Sequence, residues 1–179
     1  MRRTNNIYLI GPMGAGKTTI GRLLAKSLGV GFVDSDKQIE VRTGVSIPMI
    51  FEYEGEAGFR KREAEVLAEL AEMDGVVMAT GGGSILLPEN RDLIRRHGFV
   101  VYLHCPVDKQ MERTHKDSNR PLLNTDNPRQ KLQDLFGIRE PIYRSLADLV
   151  IDTGQCSSRG AVRQILRVYT RINSNQGRP

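Results

Sequence analysis

Short apolar runs alternate along the chain with longer stretches in which apolar residues recur every three or four positions. The short runs predict buried β-strands, whereas the longer stretches predict amphipathic helices. The five predicted strands lie at residues 7–10, 31–34, 76–79 and 99–104 and within residues 148–152. Because strands that alternate with helices form parallel sheets covered on both faces, the pattern predicts a three-layer α/β/α fold with a five-stranded parallel sheet.

Two parts of the chain depart from this alternation. Between the second and third predicted strands, three helical pieces follow one another, ending near Thr43 and then covering residues 47–53 and 56–72. They predict a helical insertion beside the sheet, and Ser46 is expected to cap the second piece. Residues 116–128 are polar, bounded by prolines and rich in turn-forming residues, so they predict a long loop of the kind that closes over active sites.

The first predicted strand leads directly into a glycine-rich loop and then a helix. Residues 11–18 read G-P-M-G-A-G-K-T and match the phosphate-binding loop G-x-x-x-x-G-K-[ST], in the strand–loop–helix context that this motif requires. Its glycines let several backbone amides point inward, where they and the positive end of the helix cradle the phosphates of a nucleotide. Lys17 is expected to reach the β- and γ-phosphates, and the Thr18 hydroxyl is expected to bind Mg²⁺.

Composition and charge narrow the class of protein. The chain of 179 residues has ordinary apolar and charged fractions and predicts one globular domain, with a disordered tail at residues 173–179. It has no apolar run near the roughly 18 residues of a membrane span and no signal-peptide pattern, so a cytoplasmic location without membrane contact is expected.

The formal net charge of +5 suits anionic small-molecule substrates. No stripe of interleaved basic and aromatic residues indicates binding to nucleic acid. Cys105 and Cys156 lack C-x-x-C spacing and are expected to be buried small hydrophobic residues rather than a disulfide, and the three histidines lack zinc-ligand spacing.

Polar groups that follow strand ends are expected to meet the phosphate loop at one edge of the sheet. Asp34 and Asp36 follow the second strand. One carboxylate could orient Mg²⁺ through water while the other accepts a hydroxyl proton from a substrate, or the two could end the strand and cap the next helix. The glycine triplet at residues 81–83 indicates either a close approach of backbone to a ligand or a flexible turn.

Three places carry arginines that could bind anions. Residues 60–62 read R-K-R near the start of a helix, where the macrodipole disfavours basic charge, which indicates either that one of them faces an anion or that they form a solvated face. Arg120 lies inside the predicted loop and would act from a lid. Arg139 could bind an anion or cover a helix surface.

Along the chain stand, in order, the motifs G-P-M-G-A-G-K-T-T-I-G, D-S-D, I-F-E-Y-E-G-E-A-G-F-R-K-R-E, T-G-G-G, R-P-L-L and R-E-P-I-Y. Taken together, these motifs resemble the shikimate kinase family. The resemblance extends from Ile7 to about Tyr169, and its F-R-x-x-E and G-G-G elements are more discriminating than the phosphate loop alone. It implies a P-loop kinase fold like that of nucleoside monophosphate kinases, with residues 1–172 as one domain, residues 34–62 as its substrate-binding region and residues 112–128 as its lid.

The resemblance also implies an activity and a set of site residues. The family phosphorylates the 3-hydroxyl of shikimate, giving 3-phosphoshikimate and ADP in aromatic amino acid biosynthesis. ATP is the co-substrate, one Mg²⁺ ion per subunit is implied, and a monomer is expected.

The residues implied to bind the ATP phosphates are Gly14, Ala15, Gly16, Lys17, Thr18 and Thr19, with Thr18 on the metal. Those implied to hold shikimate are Asp36, Arg60, Gly81, Gly82, Gly83 and Arg139. Those implied to act in catalysis are Lys17, Asp34, Asp36 and Arg120, the last by closing over the phosphates. Gln155 is implied to meet the adenine, with Arg159 as the alternative.

Two other interpretations stay open at this point. Another small-molecule P-loop kinase, such as a gluconate kinase or a nucleoside monophosphate kinase, would share the phosphate loop, but a nucleotide acceptor needs a base pocket and several phosphate-binding arginines. A nucleotide-dependent switch protein would bind nucleotide without any release of ADP that depends on an acceptor.

Overall fold

The computed structural model describes residues 5–115 and 121–176, and these form five strands and seven α-helices. The strands are β1 (Asn6–Ile10), β2 (Gly31–Asp34), β3 (Val76–Ala79), β4 (Gly98–His104) and β5 (Leu149–Asp152). The helices are α1 (Lys17–Leu28), α2 (Ser35–Thr43), α3 (Ile47–Ala71), α4 (Pro88–His97), α5 (Val107–Thr114), α6 (Pro128–Leu146) and α7 (Ser158–Gln176). Single turns of 3₁₀ helix lie at Ser84–Leu86 and Pro121–Leu123. The strands predicted from the apolar runs are confirmed.

All five strands are parallel and lie in the order β2-β3-β1-β4-β5. The central strand β1 is buried on both faces, because successive side chains of a strand point to opposite sides of the sheet. Tyr8 and Ile10 pack with α2, α3, α4 and α6, whereas Ile7 and Leu9 pack with α1 and α7 on the other face. The three-layer α/β/α architecture is therefore confirmed, and the turns that follow β1, β2 and β3 are neighbours at one edge.

The helical insertion consists of α2 and α3, which follow β2 without an intervening strand. α3 contains two helical pieces that meet at Gly55, whose φ of 71° and ψ of −177° are not helical, so the predicted division of this region is confirmed. Ser46 precedes α3, but its side chain makes no capping hydrogen bond. The Ile47 amide donates instead to Glu40 Oε1 at 3.2 Å, so a carboxylate from α2 caps the helix in place of the predicted serine.

α6, the helix that carries Arg139, contains a proline near its end. Asn127 caps α6 by accepting a hydrogen bond of 3.1 Å from a first-turn amide, and the helix continues through Pro141 to Leu146. Proline removes one helical hydrogen bond, but the buried side chains on either side of it hold α6 against the sheet. Because residues four positions apart share a helix face, α6 presents Arg139 and Tyr143 together.

The last helix corrects one prediction about the end of the chain. α7 extends to Gln176, so the predicted disordered tail is wrong for residues 173–176, whereas residues 177–179 lie outside the described residues. Those four residues contain no proline or glycine, and the Ser174 hydroxyl donates to the Thr170 carbonyl at 2.8 Å within the helix.

The predicted lid is described only in part. Arg120 and the other residues of 116–120 lie outside the described residues, and the following Pro121–Leu123 forms a 3₁₀ turn. Among the helices that the structure describes, none has the length and apolar character needed to cross a lipid bilayer.

Candidate active site

The phosphate loop connects β1 to α1 at the middle of the sheet edge. Gly14 and Gly16 have φ values of 75° and 88°, which favour glycine, and Gly16 directly precedes α1. Lys17 Nζ donates to the carbonyls of Gly11 and Pro12, each at 2.8 Å, so its side chain lies back along the loop. The cleft beside the loop is lined by Gly14, Gly16, Lys17, Thr18 and Thr19, whereas Ala15 is buried in the core.

A cysteine lies directly beneath this loop. Cys105 is buried, and its Sγ lies 3.8 Å from the Gly14 carbonyl oxygen and 3.6 Å from Arg113 Nη1. Burial raises the pKa of the Cys105 thiol, although the nearby Arg113 opposes that shift. Cys156 is free as well, but it is half-buried rather than buried as the sequence predicts.

Asp34 ends β2 and lies beside the phosphate loop. Its Oδ2 accepts a hydrogen bond of 2.7 Å from Thr18 Oγ1, and its Oδ1 accepts one of 3.3 Å from the Lys37 amide. Asp34, rather than Asp36, is therefore the residue that caps α2, and the same carboxylate also contacts the loop.

The Thr18–Asp34 pair has the chemistry of a magnesium site. Mg²⁺ prefers hard oxygen ligands, and in P-loop proteins it takes several of them from phosphates and water. A hydroxyl and a carboxylate at hydrogen-bond distance, both lining the cleft beside the loop, are the protein ligands that such a site needs. The residues present therefore fit this ion.

The glycine triplet after β3 admits charged side chains that any larger residue would displace. A β-carbon on Gly81 would lie 2.4 Å from Glu63 Oε1 and 2.7 Å from Asp36 Oδ1. One on Gly83 would lie 2.3 Å from Arg60 Nη2. These distances are well inside van der Waals contact, so the triplet serves close approach rather than flexibility.

Arg60 enters the site from the second piece of α3. Its Nη1 donates to Glu63 Oε2 at 2.7 Å, and its Nη2 donates to Glu56 Oε1 at 3.1 Å. Arg62 instead forms hydrogen bonds of 2.8 and 2.7 Å with Glu54 at the surface. Of the basic residues 60–62, it is Arg60 whose guanidinium lines the pocket, held in place by two acids.

Glu63 lies behind Arg60, and its side chain is 0% exposed. Burial raises the pKa of Glu63 to about 7, because the ionised carboxylate loses its hydration; Arg60 opposes this shift and Asp36 adds to it. Its Oε1 accepts no hydrogen bond from any residue in the described ranges. The site therefore contains a buried acid that titrates near neutral pH.

α6 contributes an arginine and a tyrosine from the same face. Arg139 is 5% exposed, and its Nε has no hydrogen-bond partner within residues 5–115 and 121–176. A buried guanidinium with an unsatisfied nitrogen is suited to binding an anion. The Tyr143 hydroxyl donates to the Gly82 carbonyl while its ring stacks on Tyr102, so α6 also holds the glycine triplet in place.

These groups surround two adjoining cavities at the sheet edge. The first is the cleft beside the phosphate loop, and the second lies between the two arginines. The second is lined by Phe51, Phe59, Arg60, Glu63, Gly81, Gly83, Leu122 and Arg139. Both cavities are lined by Met13, Asp36, Ile47 and Gly82. Asp36 therefore lies at the border, where a group could pass from one cavity to the other.

Sequence analysis did not select Arg113, which lines the phosphate-loop cleft. It donates to the Gly14 carbonyl at 2.9 Å and to the Thr153 carbonyl at 2.8 Å, and so it ties the loop after β5 to the phosphate loop. These partners are 99 and 40 residues away along the chain, so no local pattern indicates the contact. Glu63 was also missed, although its position three residues after Arg60 on a helix was a usable signal.

The residues predicted to contact the adenine do not lie at the described cleft. Gln155 is exposed, and neither Gln155 nor Arg159 is among the residues that line the described cleft. The contact stays a prediction.

Comparison with known proteins agrees with the motifs and the geometry. A family model for shikimate kinase matches residues 13–170. A shikimate kinase of Methylococcus capsulatus is 65% identical over 169 residues, which cover 94% of each chain. A shikimate kinase of Thioalkalivibrio sulfidiphilus is 55% identical over 179 residues, covering 100% of this chain and 94% of that protein.

A solved structure agrees equally well over almost the whole chain. The shikimate kinase from Acinetobacter baumannii in complex with shikimate has a TM-score of 0.92 and 52% identity, and the match covers 98% of this chain and 96% of that one. The chain therefore belongs to the shikimate kinase family.

Proposed function

We propose that the protein transfers the γ-phosphoryl group of ATP to the 3-hydroxyl of shikimate and releases 3-phosphoshikimate and ADP, a step of aromatic amino acid biosynthesis. The observation that carries this proposal is the pair of adjoining cavities that share Asp36. One lies beside a phosphate loop, and the other lies between two arginines that suit a carboxylate. Membership of the shikimate kinase family supports the same donor and acceptor.

On the nucleotide side, the amides of residues 14–19 and the N-terminus of α1 bind the phosphates. Lys17 exchanges its hydrogen bonds with the loop carbonyls for the β- and γ-phosphates, where its charge stabilises the leaving group. Thr18 would hold Mg²⁺ directly and Asp34 would orient it through water. The ion, when bound, neutralises phosphate charge.

On the acceptor side, Arg60 and Arg139 bind the substrate carboxylate with their planar forks. Arg60 is oriented by its bonds to Glu63 and Glu56, and Arg139 contributes a nitrogen that the described residues leave unsatisfied. The glycine triplet lets the backbone come close to the ring hydroxyls, in a position that the hydrogen bond from Tyr143 maintains.

Asp36 connects the two sides. Its carboxylate accepts a hydrogen bond from the attacking 3-hydroxyl and takes its proton while the new O–P bond forms and the bond from the γ-phosphorus to the ADP oxygen breaks. Positioning and electrostatic stabilisation supply most of the catalysis in such transfers. Arg120, from the predicted lid, adds positive charge to the transferring group.

Release of ADP with Mg-ATP, measured with and without shikimate, tests the proposal. We expect ADP only when shikimate is present, and a 3-phosphate ester visible by ³¹P NMR. Gluconate should give no ADP, which separates this enzyme from a gluconate kinase. The methyl ester of shikimate keeps the three hydroxyls but has no anionic carboxylate, so its turnover at low concentration should fall about tenfold or more. No shikimate-dependent ADP from folded protein would contradict the proposed function, and full turnover of the ester would contradict the arginine clamp.

We also propose that residues 1–172 act as one kinase domain, that the protein is a monomer, and that it works in the cytoplasm. Light scattering coupled to size-exclusion chromatography tests the monomer directly, and a mass twice that of the 20.0 kDa chain would contradict it.

A further inference from the structure

Glu63 is a buried acid beside the acceptor cavity to which the proposed reaction gives no chemical step. Its side chain is 0% exposed, its Oε2 accepts a hydrogen bond of 2.7 Å from Arg60 Nη1, and its Oε1 lies beside Gly81, on the side where Asp36 approaches. Glu63 contacts Arg60 rather than the reacting atoms, so it acts through that arginine.

The charges around Glu63 come from three helices. The titratable and charged groups that face it are Arg60 and Glu56 from α3, Asp36 from α2, and Arg139 and Tyr143 from α6. At the centre of this cluster two carboxylates, those of Glu63 and Asp36, balance two guanidinium groups. The carboxylate of a bound substrate would bring a third negative charge to the same two arginines, beside the fully buried side chain of Glu63.

We propose that Glu63 takes up one proton when the carboxylate of shikimate binds between Arg60 and Arg139. This inference rests on the proposed function. In the free protein, the ionised form of Glu63 orients Arg60 towards the cavity. In the complex, the protonated form of Glu63 is neutral, so the charge of Arg60 pairs with the substrate carboxylate and the site does not hold a third buried anion. The proton comes from the buffer and goes to a Glu63 oxygen, and no other covalent bond changes.

The direction of the pH effect follows from the shift that the substrate imposes. The pKa of Glu63 is about 7, and the charge of the bound carboxylate raises it further. Between those two pKa values the complex holds more protons than the free protein, so affinity for shikimate decreases as pH rises above 7 and levels off well below it. The apparent Kd should increase by up to about tenfold per pH unit in that window.

Isothermal titration calorimetry of the full chain with shikimate, without nucleotide, measures the proton directly. At pH 7.5 the titration is repeated in phosphate, HEPES and Tris, whose ionisation enthalpies differ, and the slope of observed enthalpy against ionisation enthalpy gives the number of protons taken up. We expect about 0.5–0.8 proton, because a group with a pKa near 7 is mostly ionised at that pH. The number should fall towards zero at pH 5.5 and again at pH values well above the pKa that Glu63 has in the complex.

Two matched variants identify the group that takes the proton. Glu63→Gln keeps an oxygen that can accept from Arg60 but cannot titrate, so its proton number should be zero and its Kd independent of pH. Glu56→Gln removes the exposed carboxylate that accepts a hydrogen bond from the same guanidinium, and it should leave the proton number unchanged. If Glu63→Gln does not fold, the proton numbers measured for the unmodified chain across the pH series decide whether the inference holds.

Each result has a separate meaning. Normal shikimate binding with no proton uptake at pH 7.5 and 8 would overturn this inference and leave the proposed function standing. Uptake that persists in Glu63→Gln would overturn the assignment to Glu63. The absence of any saturable shikimate binding would overturn the proposed function, and this inference with it.

Discussion

Replacing each clamp arginine with methionine should affect substrate binding alike but stability very differently. Both changes keep an unbranched side chain, and both remove the guanidinium that is proposed to bind the carboxylate of shikimate. Charge-assisted hydrogen bonds contribute about 1.5–3 kcal/mol, so Arg60→Met and Arg139→Met should each raise KM for shikimate about 10- to 150-fold. KM for ATP should stay nearly unchanged, because neither arginine lines the cleft beside the phosphate loop.

The difference in stability comes from Glu63. Arg60 pairs with a carboxylate whose side chain is 0% exposed, so Arg60→Met leaves that acid without its cation. Breaking a buried pair costs about 3–5 kcal/mol, which for a chain of this size lowers Tm by roughly 6–20 °C. The charge of Arg139 also lowers the pKa of Glu63, but less than Arg60 does and without a hydrogen bond to it in the described residues, so Arg139→Met should lower Tm by only a few degrees.

The pH of the measurement is part of the design. Since the pKa of Glu63 is about 7 and the loss of Arg60 raises it further, protonation relieves the unpaired charge at lower pH, and the loss of stability should be larger at pH 8 than at pH 6, growing by up to about 1.4 kcal/mol per pH unit above 7. Calorimetric unfolding at both pH values, together with steady-state kinetics, measures both quantities. The double variant Arg60→Met/Glu63→Gln should recover most of the Tm at pH 8 without recovering KM.

Three results would refute this reasoning. Equal losses of Tm in the two single variants would mean that the Arg60–Glu63 pair is not what distinguishes them. Recovery of KM in the double variant would mean that the charge of Arg60 is not needed for binding. Equal increases of KM for ATP and shikimate would place the arginines outside a dedicated carboxylate site.

Three further predictions concern the transfer itself. Lys17→Ala should keep the Tm and lose most of kcat, because the charge that is expected to reach the β- and γ-phosphates from within the loop is removed; near-normal turnover would mean that the loop is not the catalytic nucleotide site. Asp36→Asn should damage shikimate binding and turnover together, whereas Asp34→Asn should mainly raise the Mg²⁺ concentration needed for half-maximal rate; magnesium titrations of both variants distinguish these roles from a purely structural one. Arg120→Ala should lower kcat by about 10³-fold while shikimate binding without nucleotide barely changes, as calorimetry can check, and an unchanged kcat would exclude it as a catalytic lid residue.

Features encoded over short stretches of sequence could be predicted, and those that depend on distant partners could not. The strands and the phosphate loop follow from apolar runs and fixed spacings, and both are found where the sequence places them. The roles of Asp34 and the glycine triplet remained ambiguous in the sequence, because spacing does not show which side chains approach them. In the structure one carboxylate contacts Thr18 and caps α2, and the triplet accommodates Arg60 and two acids.

The features that sequence analysis missed have partners far away along the chain or on another helix. Arg113 contacts backbone carbonyls from two separate loops, and neither is recognisable from its own surroundings. Ser46 has the residue type of a helix cap, but its side chain makes no capping hydrogen bond, and Glu40 from the preceding helix accepts one from the Ile47 amide instead.

The rate at which the buried Cys105 thiol is alkylated can report how often the phosphate loop opens. A thiol-alkylating reagent can reach that sulfur only in the moments when the chain above it lifts, whereas the half-buried Cys156 offers a reference rate on the same molecule. The ratio of the two labelling rates, read by mass spectrometry, converts into a free energy of local opening for the phosphate loop. Repeating the measurement with nucleotide would show how strongly the ligand closes that segment, without any engineered probe.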